Sequence, residues 1–172
     1  MNALQAALLM LFPALVIIAA MTDATSFTIP NRISVLLFAV YVSAAVVLGR
    51  PLAEVGAELV IGVVALMVGM GMFAAGWIGG GDAKLFAASA LWLGWTGLPV
   101  FLMVTALAGG GLALLLLNAR APALKPYFQG APGWFTRLIT PGAGVPYGVA
   151  IAAGALAAFP QCALIGALHG RF

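Results

Sequence analysis

The chain has 172 residues, of which 65% are hydrophobic and only 6% are charged. Soluble domains carry about 25% charged residues, so this chain has too little charge to cover a surface in water, and an ordinary soluble protein is excluded. The net charge of +3 comes from basic residues scattered singly along the chain, which argues against a nucleic-acid-binding patch and favours a role in membrane topology.

The apolar residues form long runs and do not alternate with polar ones, which is typical of spanning helices and not of a membrane barrel. A bilayer core about 30 Å thick needs roughly 20 apolar residues per helix. The sequence therefore predicts an all-α integral membrane protein with about six transmembrane helices, in one domain over residues 1–172. The predicted spans are residues 4–22, 33–49, 57–77, 84–97, 100–118 and 143–168.

Only the turn signal at residues 94–99 separates the fourth predicted span from the fifth. A merged helix would be about 50 Å long at 1.5 Å per residue, which is too long for one crossing of a bilayer. We therefore predict two separate spans.

The connection at residues 119–142 is the only long one, and it combines four prolines with aromatic side chains. Its aromatic residues lie beside Lys125 and Arg137, which predicts a segment in the lipid headgroup layer. Two interpretations remain open for it, an anchoring surface loop and a region that docks substrate.

Basic residues predict the orientation. One face of the membrane receives five of them and the other face receives two. The first group is Arg32, Lys84, Arg120, Lys125 and Arg137, and the second is Arg50 and Arg171. By the positive-inside rule the first group is cytoplasmic, and both termini lie outside.

The chain has only four acidic residues: Asp23, Glu54, Glu58 and Asp82. Asp23 follows the first predicted span and Asp82 follows the third, so both lie on the same, cytoplasmic face. Glu54 and Glu58 lie on the opposite face at the start of the third helix, where acids interact well with the helix dipole. We assign them no catalytic role.

Two neighbouring carboxylates resist ionising together, so one stays neutral while the other is charged. The charged member can activate water and the neutral one can protonate a carbonyl, which is the chemistry of aspartyl proteolysis. The sequence has no His near a Ser, and Cys162 has no evident base. Two structural alternatives remain: Asp82 follows three glycines and suits a helix N-cap, and Asp23 suits a solvated surface acid.

Three local sequences surround these positions. Asp23 is followed by Ile29-Pro30-Asn31, Asp82 ends the Gly-x-Gly-Asp pattern of residues 79–82, and the stretch 145–150 contains Pro146 and Gly148. Together they resemble the type IV prepilin peptidases, which are GxGD aspartyl proteases of the bacterial inner membrane. The small size is similar to the CpaA/TadV-like branch that serves Flp pili.

The resemblance implies that Asp23 and Asp82 are catalytic and cleave the short basic leader of a prepilin or pseudopilin at the cytoplasmic face. The hydrophobic segment of the substrate would stay in the membrane. Larger members carry an additional N-terminal domain with paired cysteines, which this sequence does not match. We therefore expect no methyltransferase domain and no S-adenosylmethionine. We also expect no cofactor and no metal, since a single Cys and a single His make a poor ligand set.

Neighbouring residues are predicted to shape the site. Gly79 and Gly81 allow backbone or substrate to approach closely, although a tight turn explains them too. Ile29, Pro30 and Asn31 are predicted to hold the loop that positions Asp23, because a proline restricts the preceding residue to an extended conformation.

Three further residues carry paired interpretations. Pro146 and Gly148 either shape the site from the last helix or simply kink that helix. Lys84 either acts on a nearby carboxylate or binds a lipid phosphate. For the whole chain, the alternatives to a protease are an ion-coupled transporter subunit, which would bury carboxylates at mid-membrane depth, and a non-catalytic membrane assembly factor.

Overall fold

The structure is a computed structural model that describes residues 2–121, 124, 128, 130–162 and 164–166. Its helices are α1 (Ala3–Ser26), α2 (Asn31–Val47), α3 (Leu52–Ala74), α4 (Gly80–Ala119), α5 (Gly133–Leu138) and α6 (Tyr147–Ala158), and a 3-10 turn at Phe159–Gln161 follows α6. This described part of the chain contains no β-strand. The predicted all-α class is confirmed.

The helices have the length and surface of membrane spans. Helices α1, α3 and α4 and the segment Tyr147–Gly166 are each long and apolar enough to cross a bilayer, and α2 is a shorter apolar helix. Large apolar side chains such as Val46 and Leu107 are more than two-thirds exposed. Lipid is the solvent that accepts such a surface, so the chain is a multi-pass membrane protein.

Helix α4 reverses direction at Gly94. The backbone there is non-helical, with φ 61° and ψ −167°. Phe86 and Phe101 stack with ring centroids 5.2 Å apart, whereas a straight helix would separate these positions by about 22 Å. Helix α4 therefore consists of two antiparallel limbs, residues 80–93 and 95–119, which correspond to the fourth and fifth predicted spans. The turn is shorter than predicted, because Pro99 already lies within the second limb.

Two helix boundaries differ from the prediction where it matters most. Helix α1 continues to Ser26, so Asp23 lies in its last turn and not in the connection. Helix α4 begins at Gly80 with Gly79 as its N-cap, so Asp82 is the third helical residue and not the cap itself. Both aspartates are thus fixed to helix ends, which hold a side chain more rigidly than a loop does.

Helix α6 packs closely between α1 and the second limb of α4. A Cβ atom added to Gly154 would overlap Thr105 Oγ1 and would lie 2.7 Å from the carbonyl oxygen of Phe101. Glycine is therefore required for this contact, as small residues are at many helix interfaces in membranes. Gly109 also faces a neighbour, but Gly110 and Gly111 have no atom within 4 Å of such a Cβ.

A buried charge network joins α2 to α3 at the end of the bundle away from the aspartates. Glu58 is 4% exposed, and it accepts hydrogen bonds from Tyr41 and Arg50. Arg50 also pairs with the half-exposed Glu54 at 2.8 Å. Helix α3 begins at Leu52, earlier than predicted, so Glu54 lies in its first turn and Glu58 in its second. The sequence gave no indication that Glu58 is buried.

Candidate active site

The carboxylates of Asp23 and Asp82 line one cleft of about 250 Å³, between the end of α1, the segment leading to α2 and the start of α4. Their residues are only 4% and 6% exposed. The sequence placed them on one face of the membrane, and the fold brings them into one cavity. Asp23 is therefore not a solvated surface acid.

Asp82 has one oxygen bonded and one unpartnered. Its Oδ2 accepts the backbone N–H of Gly79 at 3.0 Å, one of the N–H groups that a helix start leaves without an intrahelical partner. Its Oδ1 is buried and has no hydrogen-bond partner within the described residues. Leaving a buried carboxylate oxygen unpaired costs free energy, so this atom is suited to accept a proton from a water molecule or a substrate.

Asp23 is held by the last helix. Its Oδ2 accepts the backbone N–H of Gly148 at 2.7 Å. Gly148 is the second residue of α6, so its N–H also belongs to the orphan donors at a helix N-terminus, where negative charge is favoured. This backbone amide therefore connects Asp23 to α6.

The electrostatics of the cleft favour a shared proton. Over the described ranges, the ion pairs are those of Arg50 with Glu54 and Glu58, so neither aspartate is neutralised by a base. Two buried carboxylates that line one cleft without a cation cannot easily both be charged. One neutral and one charged carboxyl is the state that this arrangement stabilises.

Gly81 allows the segment after α1 to cross close to the cleft. A Cβ atom at Gly81 would lie 3.0 Å from Cβ of Ile29 and 3.2 Å from its carbonyl oxygen. The close backbone approach predicted at this glycine is therefore present, and Ile29 is the residue that approaches. Pro30 is the N-cap of α2 and directly follows Ile29.

Other predicted site residues lie around the cleft. Gly79 lines it beside Gly81, and Pro146 is the N-cap of α6, two residues before Gly148. Lys84 does not reach the aspartates: its Nζ donates a hydrogen bond of 2.8 Å to Oδ1 of Asn31. Lys84 and Asn31 instead line a separate groove between α2, α3 and the first limb of α4.

Sequence reasoning missed Phe27 and Thr28, which line the cleft. Phe27 ends α1 in the left-handed conformation with φ 54°, and its N–H donates to the carbonyl oxygen of Asp23 at 2.8 Å. A bulky residue rarely adopts this conformation, and no local sequence signal indicates it. A Gly or Asn at this position would have been such a signal.

Some residues used in the sequence predictions lie in parts of the chain that the structure does not describe. Lys125 of the long connection and Arg171 near the end, which were used to predict orientation, lie outside the described residues. Within the described part, no three His, Cys, Asp or Glu side chains form a group that could hold a metal ion.

The sequence matches the type IV leader peptidase family over residues 10–114, which is more than half of the chain. The matched stretch contains both aspartates and Ile29, and it ends before Gly148. No curated protein and no solved structure matched in the corresponding searches.

Proposed function

We propose that this chain, which belongs to the type IV leader peptidase family, is an aspartic endopeptidase that cleaves with Asp23 and Asp82. Membership of the family identifies a peptidase that acts on prepilin leaders in general. The aspartic mechanism is carried by one observation: two buried carboxylates without a basic partner in the described residues line the same cleft. The unpartnered Oδ1 of Asp82 supports it further.

In the proposed reaction the pair holds a single proton and a water molecule between its members. The charged carboxylate takes a proton from the water as its oxygen attacks the scissile carbonyl carbon, and the neutral carboxyl protonates the carbonyl oxygen. The resulting gem-diol collapses when the C–N bond breaks: the leaving nitrogen takes the proton from the pair, and one gem-diol hydroxyl returns its proton to the pair as it becomes the carbonyl of the new acid. The products are a free carboxylic acid and a free amine, and the pair again holds one proton.

The substrate that we propose is the leader of a Flp-type prepilin or pseudopilin. This follows from the resemblance of the Gly-x-Gly-Asp element, Ile29-Pro30-Asn31 and the small size of the chain to the CpaA/TadV-like branch. The glycines at 79–81 line the cleft and carry no side chains of their own, which suits a substrate that presents an extended peptide backbone.

We propose that the cleft opens to the cytoplasm in the bacterial inner membrane. Four basic residues of the described part belong to the end of the bundle that holds the aspartates: Arg32, Lys84, Arg120 and Arg137. Arg50 belongs to the other end. Arg120 supports this placement, since it donates hydrogen bonds to the carbonyl oxygens of Leu138 and Gly144, and Gly144 neighbours Phe27 of the cleft. The excess of positive charge favours the cytoplasmic side.

The direct test is reconstitution. The purified chain in phospholipid vesicles is mixed with a synthetic prepilin that has a basic leader, a glycine and an apolar segment of about 20 residues. We expect a single cut at the end of the leader, observed by mass spectrometry as two fragments. An intact substrate with correctly folded protein would contradict the proposal.

A further inference from the structure

We propose that the groove between α2, α3 and the first limb of α4 receives the apolar helix of the substrate while its leader lies at the aspartates. This inference rests on the proposed function, because it concerns the substrate of the same site. The groove has a volume of about 510 Å³. Its apolar walls include Val35, Phe38, Leu59, Val63, Leu66 and Leu91.

The polar end of the groove is close to the cleft along the chain. Its polar end is formed by Asn31 and Lys84, which are joined by a hydrogen bond of 2.8 Å. Asn31 is two residues from Ile29, and Lys84 is two residues from Asp82, and both of those residues line the cleft. A peptide that leaves the aspartates therefore reaches the groove within a few residues.

The groove is directed into the membrane along the helices. Its α3 wall extends from Leu59 to Leu66 and its α4 wall from Lys84 to Leu91, and each stretch rises about 10 Å, or two helical turns. The two walls are antiparallel and in contact, since a Cβ at Gly62 would lie 3.1 Å from Cβ of Leu91 and a Cβ at Gly69 would lie 3.1 Å from Cβ of Ala83. The groove thus has the direction that a spanning substrate helix requires.

Its shape suits a helix. The small residues Ala87 and Ala88 are buried at its base, whereas Val35 and Val63 are 64% and 55% exposed at its rims. Bases of small residues between bulky rims allow a second helix to approach closely, which is the main source of helix association in lipid. No described element of this chain covers the groove.

The charge at the polar end orients the substrate. Lys84 is the one charged residue among those that line the groove. An ammonium has three donors, so the bond to Asn31 leaves donors for carbonyl oxygens in the extended segment between the cut and the helix. The same charge repels a basic leader, which therefore stays on the side of the cleft.

The other side of α3 provides a matched control. A second groove of about 220 Å³ is lined only by apolar residues, among them Val64, Phe86, Trp95 and Leu102. It has no polar end and does not adjoin the aspartates. Val63 and Val64 are successive residues of α3 with similar exposure, 55% and 47%, yet they face different grooves.

The experiment uses these two valines in the full-length chain in phospholipid vesicles. A photo-crosslinking benzoylphenylalanine is placed at position 63 or 64 and irradiated with the synthetic prepilin described above. In parallel, cleavage of the same prepilin is compared for Val63→Phe and Val64→Phe. We expect a prepilin adduct from position 63 alone, and a KM for Val63→Phe about tenfold above that of Val64→Phe, equivalent to ~1.4 kcal/mol of lost binding.

The outcomes separate the groove from the proposed function. Prepilin cleavage with equal crosslinking at both positions, or with phospholipid as the only adduct at position 63, would overturn the groove and leave the peptidase intact. A prepilin adduct at position 63 without any cleavage by the unsubstituted chain would keep the groove and overturn the peptidase.

Discussion

The backbone amide of Gly148 donates a hydrogen bond of 2.7 Å to Oδ2 of Asp23, across 125 residues of chain. It fixes the carboxyl at the end of α1 to the start of α6. The position accepts no side chain, because a Cβ atom at Gly148 would lie 2.8 Å from Oδ2 of Asp23 and 2.8 Å from Cδ1 of Ile29. Gly148 is therefore a positioning residue for Asp23.

Substitution Gly148→Ala tests this relationship. We expect kcat/KM to fall about 100-fold, the scale of a 1 Å misplacement of a reacting group, because the added methyl group displaces Asp23. The measurement is cleavage of the synthetic prepilin, with helix content checked by circular dichroism. Gly110→Ala is the control, since no atom lies within 4 Å of its Cβ position. Equal losses in both variants would contradict the assignment.

The pH dependence of cleavage follows from the shared proton. In acid both carboxyls are protonated and no base remains, whereas in alkali both are charged and no acid remains. We therefore expect a bell-shaped profile of kcat/KM against pH, measured with the synthetic prepilin in vesicles of neutral lipid. A profile with a single step would indicate that only one ionisable group takes part.

Adding a methyl group at the close contact between α6 and α4 should destabilise the fold. Gly154→Ala places a methyl group on Thr105 Oγ1 and 2.7 Å from the carbonyl oxygen of Phe101, and overpacking of this kind costs about 1–3 kcal/mol. We expect a lower Tm in detergent micelles. Gly111→Ala has free space around it and should leave Tm unchanged. If Gly111→Ala had the same Tm as Gly154→Ala, then helix propensity and not packing would determine the change in Tm.

The buried charge network should matter for stability and not for chemistry. Glu58→Ala leaves Tyr41 without its partner and leaves Arg50 with only the half-exposed Glu54, and breaking a buried ion pair costs about 3–5 kcal/mol. Glu54→Ala removes a half-exposed partner of the same Arg50 and should cost about 0–1 kcal/mol. Unfolding in detergent measures both. If Glu58→Ala remains folded, we expect it to cleave the prepilin normally. A loss of kcat in the folded variant would contradict a purely structural role for Glu58.

Much of the architecture follows from composition and from the order of apolar runs. Two spans between Asp23 and Asp82 place both on one face, whatever the later helices do, and the reversal at Gly94 was indicated by its glycine. The bond from Gly148 to Asp23 was not predictable, because nothing local relates residues 125 positions apart. The burial of Glu58 was missed for a similar reason, since Arg50 reaches it only after the turn between α2 and α3.

The direction in which a side chain points also limits what the sequence can predict. Lys84 is close to Asp82 in sequence, which suggested an action on a carboxylate, yet its Nζ bonds to Asn31. Residues two apart on a helix point away from each other, and this geometry separates the groove from the cleft. The left-handed conformation of Phe27, which lines the cleft, carries no sequence signal.

The central claim is that both aspartates take part in cleavage, and the most direct measurement compares Asp23→Asn and Asp82→Asn in the prepilin assay. Asparagine keeps the shape of each side chain but cannot exchange the proton. Glu54→Gln, which alters a half-exposed acid at the other end of the bundle, is the matched control. We predict that each aspartate variant accumulates normally in the membrane and loses about 100-fold or more in kcat, while Glu54→Gln cleaves like the unsubstituted chain. Cleavage at the normal rate by either aspartate variant would contradict the paired-carboxylate mechanism and would favour a non-catalytic role for the cleft.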